Sequence, residues 1–150
     1  MDTSDAVSMT DEERDELLGR AGTGVLSLST PGDDPPHSIP VSYGYDPVDE
    51  AFYFRLAAAG DREKTDLLDR GVTFVVHDER DGRWRSVVAA GRLVSTMDDA
   101  VADETIAGLE RVGRIPIVDV FGEPTGQVGF GFYRLDADRL TTRIERPTEP

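Results

Sequence analysis

The stretch FYFRLAAAGDREKTDLL, residues 52–68, places basic side chains where an anion could be held. Arg55 lies within an apolar run, and Arg62 and Lys64 follow just inside the start of a short helical pattern that Asp61 can cap. Free backbone N–H groups in a first helical turn already favour an anion. A cation in that turn opposes the helix dipole by about 0.3–1 kcal/mol, a cost that a bound phosphate would offset. Pairing of Arg62 with Asp66 at i+4 accounts for the same spacing without a ligand. Lys64 is the only lysine of the chain.

Two further sets invite the same question. A half-buried Arg55 needs an acidic partner or an anionic ligand. Trp84, Arg85 and Ser86 open a later strand pattern; arginine with a hydroxyl suits a phosphate, and an aromatic beside them suits a flat ring. A core or interface role for Trp84 and a surface charge at Arg85 explain these residues equally well. His37 sits in a proline-rich loop and His77 beside Asp78, both read as structural. There is no nucleophile elbow and no glycine-rich phosphate loop.

Composition narrows the classes. The chain has 150 residues, 38% hydrophobic and 31% charged, enough for one domain with a proper core. A net charge of −14 argues against nucleic acid and anionic membranes as partners. The 30 acidic residues are spread along the chain and face 16 basic ones, nearly all arginine. Such repulsion is screened where molar salt shortens the Debye length to about 3 Å, which points to a salt-accumulating halophile. With no cysteine and only His37 and His77 as histidines, thiolate chemistry and a multi-histidine metal site are excluded. No basic-then-apolar leader and no run of roughly 20 apolar residues is seen, so a cytoplasmic protein is expected.

The elements that would position these residues are mostly strands. Residues 1–9 read as a loose tail, and 10–150 as a single domain. Thr10 and Glu13 fit a capping box, opening an acidic helix that stops near Gly22. Strand patterns follow in GVLSLST, in HSIPVSYGY, where Pro40 marks an edge or a bulge, and in AFYFRL, with Phe52 and Phe54 on one face and Tyr53 and Arg55 on the other. A short helix in REKTDLLDR leads to GVTFVVHD, and ERDGR turns the chain into WRSVVAAGRLVS. Residues 97–113 read as a helix, IPIVDVFGEPTG is ambiguous, and QVGFGFYRLDADRLTTR closes with strands. Strands in hairpin order with few short helices predict a mainly β (α+β) fold, a small antiparallel split barrel with helices packed outside.

In that order the segments HSIPVSYGYD, AFYFRLAAAGDREKTDLL, VTFVVHD and WRSVVAAGRL resemble the pyridoxamine 5'-phosphate oxidase-like split-barrel FMN-binding family, over roughly residues 15–140. The resemblance implies an FMN-binding oxidoreductase, a homodimer with flavin at the subunit interface and a small-molecule substrate. Backbone groups of Pro40, Val41, Ser42 and Tyr43 would lie near the polar edge of the ring. Phe54, Arg55 and Leu56 would flank the ribityl and phosphate, with Arg62 and Lys64 on the phosphate. Trp84, Arg85 and Ser86 would complete the pocket, commonly from the partner subunit. Tyr43 carries the aromatic hydroxyl best placed by this reading, and no general acid or base is assigned. Within the same fold a deazaflavin, a haem ligand or a non-catalytic flavin store remains open. Glu63 separates Arg62 from Lys64 where many relatives have adjacent basic residues. The substrate-binding arginine and histidine of true pyridoxamine phosphate oxidases are not recognisable near the C-terminus, so vitamin B6 oxidation is not expected.

Overall fold

The capping box at Thr10 forms as its sequence indicates. The Thr10 hydroxyl accepts from the Glu13 N–H at 3.1 Å, and the Glu13 carboxylate accepts from the Thr10 N–H at 3.0 Å. Helix α1 (Asp11–Leu18) follows and stops earlier than expected. Gly19 ends it at φ 58°, a left-handed conformation that glycine reaches without strain. The next strand, β2 (Ala21–Leu28), consequently starts before the alternation of Leu26 and Leu28 announces it.

The structure is a computed structural model and describes residues 6–57, 60–96, 107–108, 111–112, 115, 117–119 and 130–145. Its further elements are β3 (His37–Asp46), β4 (Ala51–Ala57), α2 (Gly60–Asp69), β5 (Gly71–Arg80), β6 (Arg83–Ser95), β7 (Ile117–Asp119), β8 (Phe130–Asp136) and β9 (Arg139–Glu145). A short β1 (Ala6–Val7) pairs with Ile144 and Glu145 of β9, so the end of the expected tail is a strand. Its residues are too few to show a period, and the free edge of β9 supplies the order. Met9 is buried next to it, its N–H donating to the Thr142 hydroxyl at 3.0 Å. Most of the helix expected over 97–113 lies outside the described residues; Ala107, Gly108 and Arg111 have helical backbone.

The expected antiparallel barrel is present. Its wall runs β6, β5, β2, β3, β4, β8 and back to β6. Hairpin order holds for β2–β3–β4 and β5–β6, but α2 carries the chain from β4 to β5, which pairs with β2 instead. In the β5–β6 turn Asp81 and Gly82 both have positive φ, 55° and 76°, the type I′ geometry whose twist suits a tight hairpin. β6 divides one edge between two partners: Arg85–Ala90 pair with β9 and Leu93–Ser95 with β8. That division closes the barrel and leaves β9 as an outer strand.

Alternation on β4 is as predicted, with Phe52, Phe54 and Leu56 in the main core and Tyr53 and Arg55 outside it. Phe74 is the hub of the interior: its ring meets Tyr43 at 5.3 Å, Phe52 at 5.3 Å and Phe54 at 4.8 Å, all edge-to-face. Room for it comes from Gly24, where a Cβ would stand 2.5 Å from the Val75 carbonyl oxygen and 2.7 Å from the Phe74 ring. No described helix is long and apolar enough to cross a membrane. Phe74→Ala should cost about 3–5 kcal/mol, by lost burial plus the cavity left among three rings. Denaturant unfolding should show a lower midpoint at an unchanged m-value; a midpoint within error of the parent would remove Phe74 as the hub.

Candidate functional site

β4 gives one edge to β8 along its whole length, Ala51–Ala57. Its other edge is shared: Ala51–Tyr53 pair with β3, and Arg55–Ala57 take β7 in parallel register. β3 therefore parts from β4 beyond Gly44 and keeps only β2 as a ladder partner over His37–Tyr43. On the side where β4 was, the backbone groups of Pro40–Tyr43 have no ladder partner among the described residues. Pro40, which lacks an N–H, falls in this one-sided part of the strand, as a proline in a sheet should.

The side chains of β3 alternate about that edge. Ile39, Val41, Tyr43 and Tyr45 face the core, while Ser38, Pro40 and Ser42 lie on the outer face. Val41 and Tyr43 thus offer a site their backbone only. The Tyr43 hydroxyl donates to the Leu18 carbonyl at 2.7 Å, and burial, with Asp78 as a lesser cause, pushes its pKa up to about 12. The hydroxyl is satisfied inside the fold, as a ring at an inward position of a barrel requires.

The other residues separate in the same way. Phe54 and Leu56 are wholly buried in the core. Arg55 emerges on the outer face of β4, its guanidinium 5.9 Å from the centroid of the Phe132 ring. α2 starts shortly after β4 ends, so its first turn lies at the same end of the barrel as Arg55 and Leu56. The side chains of Arg62 and Lys64 lie outside the described residues. On β6, Trp84 is exposed and Ser86 half-buried on the outer face. Arg85 is buried between them and donates to both carboxylate oxygens of Asp78, at 2.9 and 2.6 Å. Ser42 and Ser86 are on strands separated by β2 and β5, so about 14 Å of sheet lies between them within one chain.

A polar clamp bounds the open edge, and nothing local in the sequence announces it. Asp46, fully buried at the end of β3, accepts from Arg111 at 2.8 and 2.7 Å. Arg134 of β8, also buried, donates to the Tyr53 hydroxyl at 2.8 Å and pairs with Asp136 at 2.8 Å. The Asp46 bonds tie Arg111 to the end of β3, and the Arg134 bond ties β8 to β4. A Cβ on Gly44 would lie 2.8 Å from Val112 and 3.0 Å from Ile115, so only glycine admits that cover. The outer face of β3 is covered at Gly44 and Asp46 and open at Ser38, Pro40 and Ser42.

The pyridoxamine 5'-phosphate oxidase family profile matches residues 10–144. No curated protein matches the chain. Among solved structures, the chain is similar to an FAD binding protein from Mycobacterium smegmatis at 19% identity and a TM-score of 0.66, over 95% of this chain and 100% of that one. A FAD-binding protein from Mesorhizobium loti is similar at 17% identity and a TM-score of 0.60, over 95% and 98%. A second M. smegmatis protein, described as binding FAD and haem, is similar at 15% identity and a TM-score of 0.60, over 97% of this chain and 77% of that one. At such identities the likeness is one of fold.

The Asp46–Arg111 pair makes the clamp sensitive to pH. Burial pushes the Asp46 pKa upward, but the Arg111 bonds and the N–H groups of Val48 and Asp49 outweigh it and hold the carboxyl below its usual 3.8. A carboxylate lowered on folding contributes stability above the unfolded value, and that contribution is lost as pH falls through the folded value. Arg111→Gln should therefore lower the melting temperature at pH 7 and move the acid-unfolding midpoint to higher pH. A variant with the parent's acid midpoint would show that the pair does not fasten the segment.

Proposed function

The chain belongs to the pyridoxamine 5'-phosphate oxidase family, and we propose that it binds FMN along the open edge of β3 and acts as a homodimeric oxidoreductase. The observation that carries this reading is the parting of β3 from β4, which leaves the backbone groups of Pro40–Tyr43 on that edge without ladder partners among the described residues, beside the start of α2. A flavin ring has a flat apolar body and a polar edge of donors and acceptors, which suits an unpaired strand edge flanked by Pro40 and Ser42. Neighbours of the same fold are described as FAD binding proteins, which supports a flavin in this chain as well.

In this reading each part of the chain has a separate task. The backbone from Pro40 to Tyr43 fixes the ring edge, and the end of β4, from Phe54 to Leu56, flanks the ribityl chain and phosphate. Lys64, with Arg62, holds the phosphate near the N–H groups of the first turn of α2. A compact ammonium is suited to a phosphate as a point charge, which gives the lone lysine a reason among arginines. The bound flavin supplies the redox chemistry, and the chain supplies anchorage, a platform and exclusion of water.

Trp84, Arg85 and Ser86 reach the same flavin from a second copy. Within one chain the breadth of two strands separates them from β3, too far for one ring edge to span, whereas the exposed Trp84 is free to cross an interface. Arg85, engaged by Asp78, serves there by fixing the strand between Trp84 and Ser86. The acid excess and the single lysine support a salt-rich cytoplasm as the setting of this reading, so purification in high salt should preserve a dimer and its ligand.

The test is an absorption spectrum of protein purified in high salt, with the released chromophore identified by mass. FMN near one per chain is the expected result, and Lys64→Ala should weaken it by about tenfold to a hundredfold, the loss of a charge-assisted contact. Turnover with a nicotinamide reductant separates an oxidoreductase from a flavin store. Release of FAD, a deazaflavin or haem would reassign the cofactor. Colourless protein that takes up no added FMN would overturn the reading.

A further inference from the structure

A second groove, of about 560 Å³, crosses the outer face of β2, β5 and β6 and contains none of the proposed flavin ligands. Its floor follows the register of the sheet. Ser27 stands opposite Thr73, Thr73 opposite Ala90, and Ala90 opposite Arg139, a row across four strands roughly 14 Å long. In the adjoining row Gly71 stands opposite Arg92. Small and hydroxyl side chains thus make the floor, and two guanidinium groups stand along one side.

The charge is what singles this groove out. Arg14, Arg70, Arg80, Arg85, Arg111 and Arg134 all form ion pairs with Asp or Glu. Arg92 and Arg139 form none among the described residues, in a chain of net charge −14. Asp138 also lines the groove without coming within ion-pair distance of either. Arg92 donates one N–H to the Asp69 carbonyl at the end of α2, which leaves most of its five donors available and covers the negative end of that helix. Arg20 and Arg143 also lack ion pairs among the described residues but do not line this groove, and Arg83 lines another cavity, whose walls carry Glu13, Glu16 and Asp81.

We propose that this groove binds the oxyanion of a small organic acid or phosphate ester, with Arg92 and Arg139 on the charge and the Ser27 and Thr73 hydroxyls completing its hydrogen bonds. Planar guanidinium groups match carboxylate and phosphate alike. The volume lies within the roughly 300–1,000 Å³ of small-molecule sites. The site is independent of the flavin reading and is tested on the protein as purified, with or without chromophore.

The experiment is a titration followed by backbone amide NMR, with sodium phosphate in one arm and sodium succinate in the other, at ionic strength fixed by chloride. Saturable shifts at Ser27, Gly71, Thr73 and Ala90 are expected. Arg139→Gln, an exposed change that spares the core, should weaken binding about tenfold, and Arg92→Gln should act in the same direction. Saturation by one anion alone identifies the oxyanion class. Shifts that follow concentration without saturating, that lie elsewhere, or that survive both substitutions overturn the proposal.

Discussion

A β-strand has two hydrogen-bonding edges, and every neighbour it accepts is refused to another strand. β4 commits one edge to β8 for its full length and divides the other between β3 and β7. Because β7 occupies the edge beside Arg55–Ala57, β3 has to leave, and on that side a stretch of its backbone has no ladder partner among the described residues. The candidate site is that departure: an open strand edge at the end of the barrel where α2 begins. β6 obeys the same constraint when it exchanges β9 for β8 and so closes the wall.

The clamp shows how an acidic chain uses its few cations. Buried Asp46 and buried Arg134 would each be costly alone, and each is matched by hydrogen bonds that remain inside the fold. Such pairs do more for position than for net stability, and here they fix the edge of the cover over β3. Arg85 and Asp78 do the same at the other end of the wall. Against this habit of pairing, the arginines left facing a groove stand apart.

Much of the wall was legible in the sequence because period-two alternation reports directly which face of a strand is wet. Phe52 and Phe54 against Tyr53 and Arg55, the turn at Asp81–Gly82 and the capping box at Thr10 are local signals, and each formed as read. The site was legible only as a set of segments. Alternation places Tyr43 with Ile39 and Val41 on the face opposite Ser42, but it does not say that the hydroxyl is spent on Leu18. The Asp46–Arg111 pair joins residues far apart in sequence, with no pattern at either end to announce it. β1 was missed because pairing along β9, and not its own residues, makes it a strand.

By itself, then, the sequence determined most of the strands, the inward and outward faces of most of them, the capped start of α1 and an acid excess that constrains partners, while α2 starts at Gly60 and takes in Asp61, the residue that the pattern offers as its cap. These depend on residues within a few positions of one another, where backbone geometry alone sets the relation. Tertiary structure decided which strand edges are shared, where β3 comes free, which arginines find carboxylates, and that Ser27, Thr73, Ala90 and Arg139 stand in one row. Those relations are set by barrel closure, which selects partners by the edges still available rather than by any local pattern.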